Sequence, residues 1–300
     1  MRKKKKSLLT TILLVFILLV GLSVMLYPTV SNWWNIKVQT RAIATYDKAV
    51  SNLDDSEKMK MVSDAWNYNY QLAKLPFPFE QYDQIEGYAE MLDVSGTGIM
   101  GYVTIPSIQV NLPIYHGTSE EVLNVAAGHL QGSSIPIGGA NCHAVISAHR
   151  GLPSAKLFSD LDRVCVGDLF TITILDEVHT YQVDEIEIVK PEEMDKLAIQ
   201  PGEDRVTLMT CTPYGVNTHR LLLHAKRIST EEAESVNVTA DAIRLDTMLV
   251  VPAIAAPLVI LLLFYWAMSG RKRKQAFPHD DPLSVLNLAE KEGDHDEPTK

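Results

Sequence analysis

Uncharged apolar runs lie near both ends of this chain of 300 residues. The first covers residues 8–27 and the second covers residues 248–268, and each is long enough to cross a hydrocarbon core of ~30 Å as a helix. A cleaved signal peptide is the alternative for the first run, but no clear cleavage site follows it, so an uncleaved anchor is predicted. The second run has Tyr265 and Trp266 near its end, which favours a membrane helix over a buried core helix.

Basic residues flank the two runs on their outer sides. Residues 2–6 precede the first run and residues 271–274 follow the second, and all of them are Lys or Arg. Because positive charge stays on the cytoplasmic side, both termini are predicted to be cytoplasmic. The protein is then a two-pass plasma membrane protein whose central part is extracytoplasmic, as in a Gram-positive cell envelope.

Hydrophobic positions at helical spacing follow the first run, over residues 37–75. They are Ile43, Tyr46, Val50, Met59, Val62, Trp66 and Tyr70. Asp54, Asp55 and Ser56 predict a break and a new N-cap, which gives two juxtamembrane helices. The segment 75–79, Leu-Pro-Phe-Pro-Phe, has two prolines in three residues and ends the helical region. We interpret it as a linker, with a docking segment as the alternative.

The period of the hydrophobic pattern changes to that of strands from Gly98 onward. Turn residues separate seven predicted strands, and one short helix is predicted over residues 157–164. Many short strands with one helix indicate a mainly β fold, a closed or half-closed barrel. The strands are predicted at 99–105, 110–115, 143–149, 169–174, 180–189, 206–211 and 220–225.

The net charge of −10 argues against a nucleic-acid partner. The Lys and Arg clusters lie at the membrane flanks, where topology explains them, and the central part is acidic. No metal-ligand spacing, calcium loop or phosphate-binding loop is apparent, so neither a metal nor a cofactor is predicted.

Three cysteines are present, at 142, 165 and 211. Exported proteins usually pair their cysteines, and an odd count leaves at least one thiol free. A disulfide between Cys142 and Cys165 stays open as an alternative. Cys165 lies in an apolar pattern, where a buried thiol is expected.

Cys211 ends a predicted strand, and Arg220 begins the next one. If the two strands form an antiparallel hairpin, these residues face each other at its turn end. His149 ends another strand and reaches the same rim if that strand runs parallel to the cysteine strand. The three residues then fit acyl transfer: Cys211 as nucleophile, His149 as acid and base, and Arg220 as the group that stabilises the oxyanion.

Each of these residues also has an ordinary structural interpretation. Cysteine is among the residue types most often buried, and an arginine at the start of a strand is commonly a surface cation. A lone histidine is more often structural, and His116, His129 and His143 are rivals of His149. The combination of the three residue types is more specific than any one of them.

The residues 207–211, Thr-Leu-Met-Thr-Cys, match the Thr-Leu-x-Thr-Cys signature of the sortase family. The chain resembles the pilus-assembling class C group of that family over roughly residues 98–227. Further similarity lies around Arg220, around His149, and at 98–102, 115–119 and 157–161.

The resemblance implies a sortase-type β-barrel and a cysteine transpeptidase. It assigns the role of nucleophile to Cys211, the role of acid and base to His149, and the binding of substrate or oxyanion to Arg220. The expected substrates are pilins or surface proteins with a Leu-Pro-x-Thr-Gly-like signal, cleaved between Thr and Gly and transferred to an amine, commonly a pilin lysine. Anchoring of single surface proteins to cell-wall amines, a non-enzymatic assembly scaffold and simple proteolysis are the alternatives.

Class C members often close the site with a lid that carries an Asp-Pro-aromatic motif. In this chain the corresponding residues 76–79 have no Asp before either Pro, so a lid of that type is not predicted. If a lid is present, an aromatic ring rather than a carboxylate contacts the thiol.

The predicted organisation has seven parts. They are a basic tail (1–7), a signal anchor (8–27), a juxtamembrane helical region with a lid segment as an option (28–97), the catalytic β-barrel (98–228), a linker (229–247), a transmembrane helix (248–268) and a cytoplasmic tail (269–300).

Overall fold

The computed structural model of the protein describes residues 2–229, 257–259 and 261. Within residues 2–229 the helices are α1 (Arg2–Ser51), α2 (Asp55–Leu72), α3 (Pro78–Gln81) and α4 (Glu120–Leu123). The strands are β1 (Ile99–Ile105), β2 (Val110–His116), β3 (Ala127–His129), β4 (Cys142–Ser147), β5 (Leu169–Ile174), β6 (Glu177–Val189), β7 (Asp204–Thr212) and β8 (His219–Arg227).

The predicted closed barrel is confirmed. Its strand order is β1-β2-β3-β4-β7-β8-β6-β5, and β5 pairs with β1 to close it. The pairs β2–β3 and β4–β7 are parallel, and the other neighbours are antiparallel. Alternate residues of each strand point inward, so that Val206 and Leu208 of β7 lie in the central core while Met209 faces the other side of the sheet.

Helix α1 contains the first apolar run and continues far beyond it. From Thr10 onward it is long and apolar enough to cross a membrane, with a mean hydropathy of 2.5 in its most apolar window. A signal sequence meets the same criteria of length and composition, so retention of this helix as an anchor stays a prediction. The helix passes through Pro28 without ending, and the predicted boundary between residues 27 and 28 is therefore not a break in the chain's structure.

The far end of α1 and the second half of α2 are joined to the rest of the molecule by buried side chains. Tyr46 of α1 is fully buried; its hydroxyl donates to the carbonyl of Met100 at 3.0 Å and accepts from the Leu175 amide at 2.7 Å. Helix α2 begins after Asp54, which caps it in a reciprocal pair of hydrogen bonds with Glu57. The break therefore falls where the three polar residues indicate it, while a position beside a membrane stays a prediction.

Several expectations differ from the structure. Strand β3 was not predicted, because three residues are too few to show an alternating pattern. Residues 157–164 form turns and one 3-10 turn, Leu161–Arg163, so the predicted helix there is wrong. The second membrane helix and the two segments around it lie outside the described residues, apart from residue 229 and the helical residues 257–259 and 261.

Candidate active site

Cys211 and Arg220 are directly opposite each other at the turn end of the β7–β8 hairpin. One further pair, Thr212 with His219, closes the ladder before Pro213 begins the connecting loop. Facing residues of an antiparallel pair have their Cβ atoms roughly 4.5–5.5 Å apart. Both side chains are half-buried, which leaves the thiol and the guanidinium shielded but accessible.

His149 reaches the same edge from the neighbouring strand. Strand β4 runs parallel to β7, and its last pair is Ser147 with Met209. Two hydrogen bonds extend this contact beyond the strand: the amide of Ala148 donates to the carbonyl of Met209 at 3.2 Å, and the Thr210 hydroxyl donates to the carbonyl of Ala148 at 2.8 Å. His149 therefore lies beside Cys211, at the ends of two parallel strands that point the same way.

The side chains of Cys211 and Arg220 also lie on one side of the sheet. Met209 and Leu222 belong to an apolar cluster outside the barrel core, and Cys211 and Arg220 are each two residues away from one of them on the same strand. Because side chains alternate along a strand, the thiol and the guanidinium share the face of that cluster. Val145 of β4 belongs to the same cluster, and residue 149 lies two residues beyond the end of that strand.

Arg220 has unused hydrogen-bonding capacity. Its Nη1 donates to the backbone carbonyls of Asn217 at 3.3 Å and of His219 at 3.2 Å. Among the described residues, no carboxylate forms an ion pair with it. A guanidinium carries five N–H donors, so several remain for a carbonyl or an oxyanion placed near Cys211.

Arg150, which sequence reasoning missed, has the opposite environment. Its guanidinium forms an ion pair with Asp162, donates to the Thr212 hydroxyl at 3.3 Å, and lies 5.8 Å from the ring centroid of Tyr214. It therefore ties the segment after His149 to the end of the cysteine strand. Its place directly after His149 in the sequence is the signal that could have identified it.

The rival histidines are held in structural roles. The ring of His129 contacts the Tyr88 hydroxyl at 2.9 Å and the Ser134 carbonyl at 2.8 Å, and burial lowers its pKa to about 4. The ring of His143 lies between the Ala198 carbonyl at 2.9 Å and the Thr207 hydroxyl at 2.7 Å, and burial lowers its pKa to about 4 as well. Both ring nitrogens of His116 contact backbone carbonyls, those of Gly98 and Met91.

The other two cysteines differ from Cys211 in accessibility. Cys142 is buried, and desolvation by that burial raises the pKa of its thiol to about 12. Cys165 is exposed, so the expectation of a buried thiol there is wrong; it follows a 3-10 turn rather than lying inside a strand. Both are free, which excludes the disulfide alternative in this structure.

An apolar cluster begins next to Cys211. Its members come from strands β4, β6, β7 and β8, from the loop between β6 and β7, and from residues 79 and 130. We call this set the outer cluster; it consists of the buried residues Val145, Val189, Leu197 and Leu222 and the partly buried residues Phe79, Leu130, Met194 and Met209.

Phe79 belongs to the outer cluster although it precedes the barrel by some twenty residues. The segment Pro78–Phe79 approaches Gly132 so closely that a Cβ at Gly132 would lie 2.7 Å from the Cα of Phe79 and 2.9 Å from the carbonyl oxygen of Pro78. Phe77, by contrast, is 61% exposed. The linker interpretation is therefore wrong for the second half of the segment, which docks on the barrel.

The chain is similar to a known family and to several known proteins. The family model described as a sortase domain matches residues 103–228. Sortase A of Streptococcus agalactiae is 35% identical over 137 residues, which cover 45% of this chain and 55% of that protein, so the chain spans about half of this relative.

Solved structures are more similar. The crystal structure of sortase C1 from Streptococcus agalactiae is 47% identical, with a TM-score of 0.59, over 63% of this chain and 99% of that one. The crystal structure of Streptococcus pneumoniae sortase C, described as informative on catalysis and pilin substrate specificity, is 45% identical, with a TM-score of 0.57, over 63% of this chain and 97% of that one.

Proposed function

Because the chain belongs to the sortase family, we propose that it is a membrane-anchored cysteine transpeptidase with Cys211, His149 and Arg220 as its catalytic residues. It cleaves a Leu-Pro-x-Thr-Gly-like sorting signal between Thr and Gly and transfers the acyl group to an amine. The observation that carries this proposal is the register of Cys211 against Arg220, at the strand ends that His149 shares.

The first half of the reaction forms a thioester. The Cys211 thiolate attacks the carbonyl carbon of the Thr–Gly bond, and negative charge develops on the carbonyl oxygen. The free N–H groups of Arg220 stabilise that oxyanion, and since an arginine keeps its proton at all relevant pH values, its role is electrostatic. The C–N bond then breaks, and the imidazolium of His149 gives its proton to the leaving amine.

The second half transfers the acyl group. The neutral imidazole of His149 accepts a proton from the incoming amine as the amine attacks the thioester carbon. The C–S bond breaks, and Cys211 leaves as a thiolate beside a newly protonated His149. Both residues then have the protonation states with which the cycle began, so no cofactor is required.

The outer cluster is the proposed site for the apolar Leu and Pro of the sorting signal. It is continuous with Cys211 along β7, because Met209 and Cys211 are neighbours on the same face of the strand. An apolar surface of this kind binds apolar side chains and excludes water. Exclusion of water also favours an amine over hydrolysis of the thioester.

For the acceptor we propose a pilin lysine. The support is the likeness, at 45–47% identity, to sortase C1 and to Streptococcus pneumoniae sortase C, whose structure is described as informative on pilin substrate specificity. The second candidate is transfer to a cell-wall amine by an enzyme that anchors single proteins, and the likeness to a sortase A at 35% identity favours it. Mass spectrometry of the product, which identifies the amine joined to the threonine, separates the two.

The proposed location is the outer face of the plasma membrane. Helix α1 supplies the N-terminal anchor, and the apolar run 248–268 supplies a second one, with both termini in the cytoplasm. Pilins or surface proteins with C-terminal sorting signals are the proposed partners.

The test uses the full-length protein in detergent with a Leu-Pro-x-Thr-Gly peptide and hydroxylamine. We expect a peptide hydroxamate from the wild type and none from Cys211→Ala. Cys165→Ala is the matched control, because it removes an exposed thiol that is not part of the proposed site. We expect this variant to keep full turnover. Product that is only the free acid indicates a protease, and polymer formation in cells by Cys211→Ala indicates a scaffold; either result overturns the proposal.

A further inference from the structure

One face of helix α1 carries a continuous stripe beyond the apolar run. Its members are spaced by three or four residues, so they lie along a single face of the helix. The stripe is apolar where it is farthest from the apolar run and consists of amides where it is nearest. In order it contains Asn32, Asn35, Gln39, Ile43, Tyr46 and Val50.

The two amides nearest the apolar run bind the segment that follows His149. The Oδ1 of Asn32 accepts from the backbone amide of Lys156 at 2.8 Å, and the Nδ2 of Asn35 donates to the carbonyl of Ser154 at 2.7 Å. Gln39 makes the same kind of bond with a different part of the chain, donating to the carbonyl of Val125 at 2.8 Å.

The segment that α1 holds is a closed loop, residues 149–158, which we call the histidine loop. Its base is fixed on the barrel, since the amide of Phe158 donates to the carbonyl of His149 at 3.1 Å. Leu157 in this loop has a φ of 42°, in the left-handed region that a leucine rarely adopts. A strained backbone of this kind persists only where surrounding contacts hold it, and Asn32 contacts the residue directly before it.

We propose that Asn32 and Asn35 are positioning residues, through which the membrane-anchor helix fixes the histidine loop and so the imidazole of His149. This inference rests on the proposed function. Tyr27, at the end of the apolar run, is five and eight residues before the two amides, or roughly 8 and 12 Å along a helix. The histidine loop therefore lies at the headgroup level of a bilayer, where the exposed Trp33 and Trp34 form an aromatic belt.

The location has a consequence for the reaction. The rim of the barrel with the three catalytic residues is the rim closest to the membrane surface, so the scissile peptide is processed within a short distance of the bilayer.

The direction of each hydrogen bond supplies the test. Asn32→Asp keeps an acceptor for the Lys156 amide, so we expect activity close to wild type. Asn35→Asp replaces the donor by an acceptor that faces the Ser154 carbonyl, so we expect the kcat of the full-length enzyme to fall on the order of tenfold with KM within twofold. The double change Asn32→Ala with Asn35→Ala should lower kcat at least as much.

Gln39→Ala is the matched control, because it removes an equivalent amide from the same helix face without touching the histidine loop. We expect it to lower the melting temperature at least as much as Asn35→Asp but to keep kcat. A general loss of docking of α1 would instead lower kcat equally in the control, and that result overturns the proposal.

A second measurement does not depend on the sorting signal. In the Cys165→Ala background, the rate of alkylation of Cys211 by iodoacetamide is followed against pH by mass spectrometry. Displacement of the imidazole changes how readily the thiol is alkylated, so the rate profile should differ from the wild type in Asn35→Asp and not in Gln39→Ala. Unchanged profiles in both variants contradict the positioning role. A wild type that shows these profiles but no peptide turnover contradicts the proposed function instead.

Discussion

Phe79 is part of the outer cluster at which the apolar residues of the sorting signal are proposed to bind, and this leads to a prediction of increased activity on mutation. The ring lies in the outer cluster, held there by the close approach of its backbone to Gly132. A peptide that inserts its own apolar side chains must first displace the ring. Phe79→Ala removes that competitor while leaving the thiol, the imidazole and the guanidinium untouched.

The magnitude follows from the area that the ring buries. Full burial of a phenylalanine contributes ~1.5–3 kcal/mol, and a partly buried ring contributes about half of that, or ~0.8–1.5 kcal/mol. If the ring must leave before the peptide binds, the same free energy weakens the apparent affinity for the peptide roughly four- to twelvefold. Phe79→Ala should therefore lower KM by about that factor with kcat unchanged.

The assay is the initial rate of hydroxamate formation by the full-length enzyme over a range of peptide concentrations. Phe77→Ala is the control, since this ring is two residues away and 61% exposed, and it should leave KM unchanged. Binding of labelled peptide to the Cys211→Ala variant, with and without Phe79→Ala, gives the same comparison without turnover. Equal affinities in the two phenylalanine variants would refute the idea that the ring competes with substrate.

Three other changes have defined outcomes. Tyr46→Phe leaves two buried backbone groups unpaired at ~1–3 kcal/mol each, so the melting temperature should fall by about 5–15 °C, whereas Tyr70→Phe, at a 63% exposed side chain, should leave it unchanged. Arg150→Met removes the charge that joins the histidine loop to the cysteine strand, and kcat should fall on the order of tenfold while KM stays within twofold. Stability should also fall as the pH is lowered from about 6.5 towards 4. Burial lowers the folded-state pKa of the imidazoles of His129, His143 and His179 from 6.5 to about 4, so the unfolded chain binds protons first. The expected loss is ~2 kcal/mol per imidazole at pH 5, measured by urea unfolding of the full chain.

Each of these has a contrary result. Equal melting temperatures for the two tyrosine variants would mean that the Tyr46 hydroxyl contributes no net stability. A rise in KM with an unchanged kcat in Arg150→Met would assign that residue to substrate binding. A stability that stays flat between pH 7 and pH 5 would mean that the three imidazoles are accessible to protons in the folded protein.

Local patterns predicted most of the barrel. Strands β1 and β5 begin and end where the alternating pattern places them, and the other predicted strands differ by one to three residues at their ends. The apolar spacing of residues 157–164 resembles that of a helix, but Leu157 has a φ of 42°, which is incompatible with a right-handed helix at that position. Strand β3 depends on its pairing with β2 and β4 and leaves no signal of its own.

The candidate site divides in the same way. The facing pair of Cys211 and Arg220 is a hairpin contact between segments close in sequence, so the residue pattern predicts it once the two strands are taken to form an antiparallel hairpin. The position of His149 needs the parallel pairing of β4 with β7, which joins segments about sixty residues apart and has no local signal in the sequence. The docking of Phe79 requires Gly132, which lies in a loop distant in sequence, and no periodicity in the sequence predicts such a contact.

The residues proposed to react and the residues proposed to control them belong to different parts of the chain. Cys211, His149 and Arg220 all lie within residues 103–228, the part that matches the sortase domain. Phe79 and the amides of α1 precede it, and they contact the barrel at the outer cluster and at the histidine loop. Phe79→Ala and Asn35→Asp therefore act separately in the full-length protein, and we expect the first to lower KM and the second to lower kcat.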